Sequence, residues 1–231
     1  MNYLSPHDKR QRALRGTRAA AVIAFGLLLT LFLDQFAFEL VTPLIESTGD
    51  EAPRVDKARY ELHDWYRFLR IQGFAGTWAA VAVLLALHDR ATGHPTHDRA
   101  LRLIGAVVVA GLAAELLKLV VGRERPIEGS VFQGDVYKPF LGAVLNGSEH
   151  GGNLGFPSSH TSTAFAAATA LAAFFPSTRW VLFALAAGCG LSRMLTGAHW
   201  LSDVYAGAII GILGALLFVP KSTGSLITSS R

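Results

Sequence analysis

The chain has 231 residues, of which 51% are apolar and 16% charged, and its formal net charge is +4. A charge fraction so far below the roughly 25% usual for soluble domains argues against a water-soluble enzyme and for insertion into a bilayer. The basic excess is concentrated in the N-terminal tail and otherwise scattered, which argues against a nucleic-acid partner.

A bilayer core about 30 Å thick needs around 20 apolar residues per crossing helix. Six runs approach that length, at about 19–38, 68–88, 100–121, 159–175, 179–196 and 200–219. Stretches 101–114 and 204–219 have almost no polar face, which a helix on the surface of a soluble bundle would need. The expectation is an all-α fold, a six-helix transmembrane bundle forming one domain over residues 1–231. Ahead of the first run, Lys9, Arg10, Arg12, Arg15 and Arg18 mark residues 1–18 as a cytoplasmic tail, either solvated and disordered or lying on anionic lipid head groups. The first run lacks a small-residue cleavage site after it, so it reads as a retained span and not as a signal peptide. Asp34, near its outer end, is expected to snorkel to the interface.

In the first outer loop, Arg54, Lys57, Arg59 and Arg67 are balanced by Asp50, Glu51, Asp56, Glu61 and Asp64. Pro53 is placed to open an interfacial helix on which Ala58, Leu62, Trp65 and Leu69 share a face. Trp65, Tyr66 and Phe68 would anchor it at head-group level. His88, His94 and His97 fall in the next, inner loop at a spacing that matches no common ligand pattern, so a solvated loop is expected there. Cys189 is the single cysteine and forms no intramolecular disulfide.

The polar residues that remain form three clusters, and the predicted topology brings all three to one side of the membrane. Lys118 ends the third run and Arg125 follows it, with Glu115 three residues before Lys118 on the same helix, placed to pair with it. A long polar stretch, 122–157, then leads to the fourth run and is expected to form an outer active-site loop. Pro157, Ser158, Ser159 and His160 open that fourth run; a helix start offers free amides to a phosphate, although Ser158 or Ser159 equally serves as an N-cap. Ser192 and Arg193 end the fifth run, and His199 and Asp203 lie four residues apart at the start of the sixth. That spacing lets the carboxylate orient the imidazole as nucleophile or base. Lys118, Arg125 and Arg193 outnumber Asp203, so an anionic ligand would restore the balance. Intramembrane charges of this density are costly unless they bind something.

In these residues the chain resembles the type 2 phosphatidic acid phosphatase (PAP2) superfamily, whose signature reads K-x6-RP, then PSGH, then SR-x5-H-x3-D. Lys118, Arg125 and Pro126 match the first motif, Pro157, Ser158 and His160 the second, and Ser192, Arg193, His199 and Asp203 the third. Ser159 stands where the family has glycine, keeping the backbone amide but adding a side chain that crowds the phosphate or supplies a hydroxyl. The resemblance implies an active site at the outer membrane face. His199 would form a phosphohistidine and Asp203 would orient it, while His160 would protonate the leaving oxygen and then activate water. Lys118, Arg125, Ser158, Ser159 and Arg193 would bind the phosphate. It implies no metal and no other cofactor. The substrate it implies is a lipid phosphate or diphosphate, such as a prenyl diphosphate, phosphatidylglycerophosphate or phosphatidic acid, in a bacterial plasma membrane. A non-catalytic lipid-phosphate carrier is the rival reading, and the two histidines argue against it because binding needs only cations and amides. The vanadate-dependent haloperoxidases share the anion site but are soluble and larger, and the apolar composition argues against that branch.

Overall fold

The computed structural model describes residues 6–42, 44–45, 54–55, 58–93, 98–126 and 154–219. Helix α1, Pro6–Val41, is 36 residues long. At about 1.5 Å per residue it is far longer than a bilayer core. The basic segment expected as a loose tail is therefore its first turns: Arg10, Arg12, Arg15 and Arg18 project from helix into solvent. Beyond them Phe25, Leu28, Phe32 and Phe36 are all exposed, and only 11% of the apolar window of α1 is covered by protein. Burying so little apolar surface against the rest of the fold leaves lipid as its solvent.

Two short antiparallel strands follow, β1 (Leu44–Ile45) and β2 (Arg54–Val55), with Leu44 opposite Val55. Pro53 lies outside the described residues, and the interfacial segment consists of α2 (Ala58–Glu61) and α3 (Asp64–Ile71). Helix α4 (Ala75–Ala91) continues from α3 through a bend of 70°, so the second apolar run is two helices where one was expected. Helix α5 (Asp98–Val121) is tied back to the end of α4 by Arg99, which pairs with the buried Asp89 carboxylate. After the loop come α6 (Ser159–Phe174), a 3-10 turn (Pro176–Thr178), α7 (Arg179–Leu195) and α8 (Leu201–Leu216).

All six apolar runs are therefore helical. Among the described residues, α1 and α5 are long and apolar enough to cross a membrane, and α3 with α4 adds a third if the bent pair counts as one span. Helices α6, α7 and α8 have 16 or 17 residues. Each covers about 25 Å, short of a full bilayer core. The chain is a helical membrane protein; six crossings is not what helix length alone delivers.

Helix α6 occupies the centre, with α5, α7 and α8 around it. Its buried face is Ala164, Ala166, Ala167, Ala168 and Ala170. Small side chains let neighbouring backbones approach, and dispersion contacts replace the hydrophobic drive that lipid does not provide. The closest approach is to α8: a Cβ added at Gly207 or Gly211 would lie 2.4 Å from the carbonyl oxygen of Ser158 or Ser162. On the other side Ser162 Oγ donates to the Ala110 carbonyl of α5 at 2.9 Å. This packing fixes the starts of α6 and α8 beside the end of α5.

Candidate active site

Backbone and side-chain hydrogen bonds join the three polar clusters. The Ser158 amide donates to the Asp203 carbonyl at 2.9 Å, and Lys118 Nζ donates to Ser159 Oγ at 2.9 Å. Arg125 and Arg193 line one cavity of about 180 Å³ together with Arg70 and Glu61. His160 lines a second cavity of about 250 Å³, again with Arg70.

The end of α5 is shaped by Gly122, whose φ of +66° is the left-handed conformation that commonly closes a helix. The chain then pairs with the stretch leading into α6. Glu124 bridges Leu154, the Gly155 amide donates to the Arg123 carbonyl at 2.7 Å, and Arg125 Nε donates to the Leu154 carbonyl at 3.3 Å. The expected outer loop 122–157 is thus closed at its base, while residues 127–153 lie outside the described residues. His94 and His97, of the inner-loop histidines, also lie outside them.

His199 sits in the turn between α7 and α8, just after Gly197 with its φ of +63°. Its Nδ1 is 3.4 Å from Asp203 Oδ2. The same oxygen accepts the Trp200 amide at 3.0 Å, as a side chain in the first turn of a helix does for its cap. The imidazole contact is long for a hydrogen bond, as contacts in unliganded sites often are. Burial, reinforced by the charges of Arg193, Arg125 and Lys118, holds the His199 imidazole well below the ordinary histidine range, and hence neutral at pH 7.

Asp203 is held on its other side by residues that motif spacing did not reveal. Arg123 Nη1 donates to Asp203 Oδ1 at 3.1 Å and to Ser202 Oγ at 2.6 Å, and Nη2 donates to Asp34 Oδ2 at 2.9 Å. Asp34 also accepts the Ser202 amide at 2.7 Å and its hydroxyl at 2.6 Å. Asp34 does not snorkel: it is 5% exposed and clamps the start of α8 through Arg123. A buried carboxylate needs a cation and donors, and this one finds both inside the fold. The Arg123 guanidinium also stands 5.3 Å from the Trp200 ring centre.

Tyr66 departs from its expected anchoring role too. Trp65 and Phe68 are exposed, but Tyr66 is fully buried; its hydroxyl lies 3.4 Å from Thr196 Oγ1 and accepts from Arg193 Nη1 at 3.5 Å. Arg193 is thereby braced from α3 while its buried Nε has no hydrogen-bond partner among the described residues. Gly73, in the bend between α3 and α4, touches His160: a Cβ there would stand 2.6 Å from the His160 Cβ. Only a residue without a side chain lets the bend lie against that histidine.

Of the two serines, Ser158 is the N-cap. It is fully buried and its Oγ accepts from the Thr161 amide at 3.4 Å and from the Thr161 hydroxyl at 3.0 Å. Ser159 instead holds Lys118, which Glu115 also holds at 2.7 Å. The hydroxyl that replaces the family glycine is thus engaged with a cation of the site.

The arrangement is that of a helical membrane protein carrying an arginine-lined pocket beside a histidine–aspartate pair. A family model described as the PAP2 superfamily matches residues 99–224, more than half of the chain. The chain belongs to the PAP2 superfamily. It is 38% identical over 111 residues to a lipid A 1-phosphatase of Rhizobium johnstonii, covering 48% of this chain and 43% of that one. To the bacitracin transport permease protein BcrC of Bacillus licheniformis it is 35% identical over 111 residues, covering 47% of this chain and 50% of that one. The chain therefore spans about half the length of these relatives. The crystal structure of Aquifex aeolicus LpxE overlaps it with a TM-score of 0.41 at 21% identity, over 69% of this chain and 96% of that one.

Proposed function

We propose that the chain is a lipid phosphatase that hydrolyses a phosphate monoester or diphosphate head group through a phosphohistidine, its site at the outer or periplasmic face of a bacterial inner membrane and its six apolar runs all crossing. The observation that carries this reading is the buried His199, its Nδ1 3.4 Å from Asp203 Oδ2, directly after Ala198 of the cavity that Arg125 and Arg193 also line. Membership of the superfamily and the relatives' names support it.

In the proposed cycle the unprotonated Nε2 of His199 attacks phosphorus in line with the leaving oxygen. Asp203 stabilises the imidazolium that forms, and Arg123 keeps Asp203 in place. Lys118, Arg125, Arg193 and the first amides of α6 neutralise the equatorial oxygens, where phosphoryl transfer needs most help. His160 gives its proton to the leaving oxygen, then takes one from the water that releases phosphate. Ser158 acts as a cap, and Ser159 sets the position of Lys118.

Phosphate release from a panel of lipid phosphates in detergent, by the wild type and His199→Ala, tests the proposal. Turnover should persist in chelator and disappear in the variant. Binding of the same lipids without any release by the wild type would favour the carrier, and retained turnover in His199→Ala would remove the nucleophile.

A further inference from the structure

Arg70 lies outside all three motifs, yet it lines both cavities of the site. One holds Arg125 and Arg193 with Glu61 as the single carboxylate; the other holds His160 and Arg67 beside Ile71 and Phe74. Arg67 and Arg70 come from α3, which the motif helices do not include. The Arg70 guanidinium makes no ion pair among the described residues, although charge of the opposite sign would stabilise it there. With His160 as the general acid, the departing oxygen faces His160, and the cavity that His160 lines with Arg67 and Arg70 is where the leaving group would extend. That cavity is cationic near His160 and apolar at Ile71 and Phe74.

Resting on the phosphatase reading above, we propose that Arg70, with Arg67, binds a second phosphoryl group on the leaving side, so that the preferred substrate is a lipid diphosphate. His199 Nε2 then forms a bond to the terminal phosphorus while the bond from that phosphorus to the bridging oxygen breaks. The electron pair stays on the bridging oxygen, which departs as part of a lipid monophosphate. Water afterwards cleaves the N–P bond, giving inorganic phosphate and free His199. Arg70 and Arg67 would stabilise the charge gained by the departing phosphate, and the apolar end of the cavity would receive the first carbons of its lipid.

The test compares kcat/KM for an isoprenoid diphosphate and for the monophosphate of the same chain length, with a glycolipid carrying two phosphates on separate carbons as a third substrate. Arg70→Gln is on an exposed face of α3, so the fold should survive. The diphosphate-to-monophosphate ratio should fall about ten- to a hundredfold in Arg70→Gln, the loss expected for a charged hydrogen bond, and Arg70→Lys should recover part of it. Equal losses on both substrates would overturn the subsite, as would a selective loss on the separated bisphosphate alone. In either case persistent His199-dependent turnover would show that the phosphatase reading itself had survived.

Discussion

Replacing Arg123 by glutamine should be among the most damaging changes available outside the motif residues. The guanidinium joins Asp34 at 2.9 Å and Asp203 at 3.1 Å, with side-chain exposures of 8% for Arg123, 7% for Asp34 and none for Asp203. Its removal strands two carboxylates in a region that water does not reach. Breaking a buried pair in this way typically costs about 3–5 kcal/mol. Asp34→Asn, which leaves Arg123 paired with Asp203, should cost only the loss of a charged hydrogen bond, about 1.5–3 kcal/mol. If the three groups act as one network, the double variant should be less destabilised than the sum of the singles, by about 1–3 kcal/mol. Unfolding in mixed micelles, titrated with denaturing detergent and followed by tryptophan fluorescence, measures all four corners of the cycle. Turnover in the same preparations should show kcat falling more than KM rises in Arg123→Gln, since Asp203 would no longer be held against His199. Strict additivity, or a stability loss below about 0.5 kcal/mol for Arg123→Gln, a loss typical of ordinary surface sites, would refute the network.

Other outcomes follow from the same geometry. Because the folded-state pKa of His199 is depressed and its unfolded value is near 6.5, its neutral burial contributes stability that is present above about pH 6.5 and lost as the pH falls below it. Unfolding midpoints between pH 8 and 5 should therefore drop more steeply for the wild type than for His199→Gln, by at most about 1.4 kcal/mol per pH unit, and parallel curves would contradict the assignment. Gly73→Ala should lower kcat by displacing His160, which a temperature scan paired with kinetics would separate from a loss of fold. Ser158→Ala should cost about 1 kcal/mol as a lost cap while keeping far more activity than His199→Ala. Ser159→Gly should leave Lys118 paired with Glu115 alone, so phosphate inhibition constants should shift while the unfolding midpoint moves little.

The motif residues were legible because their relations are local or fixed by spacing. His199 and Asp203 are four residues apart, and Ser158 is adjacent to Ser159, so helical geometry alone constrains each pair. What holds them was not legible in the same way. Arg123 and Asp34 are 89 residues apart, and no periodicity links a loop arginine to a carboxylate on the first helix. A signal did exist: an aspartate inside an apolar run requires a cation at its depth, and Arg123 follows α5 at the level of the site. Tyr66 was hidden among Trp65 and Phe68, since composition alone does not tell which ring of an aromatic group turns inward. Gly73 and Arg70 became visible only when the bend between α3 and α4 laid that segment across His160. All six apolar runs proved helical, but apolar length in the sequence does not mark where a helix ends, so helix length supports two or three crossings among the described residues.

Glu124 and Leu154 stand side by side as neighbours in a bridge, so the chain leaves the site and returns to it at a single point. Changing the length of such an excursion alters closure entropy by only about 0.6 kcal/mol per doubling. Adding or removing residues between those two ends should therefore cost the fold little while the bridge keeps the ends, and Arg123 and Arg125 beside them, in place.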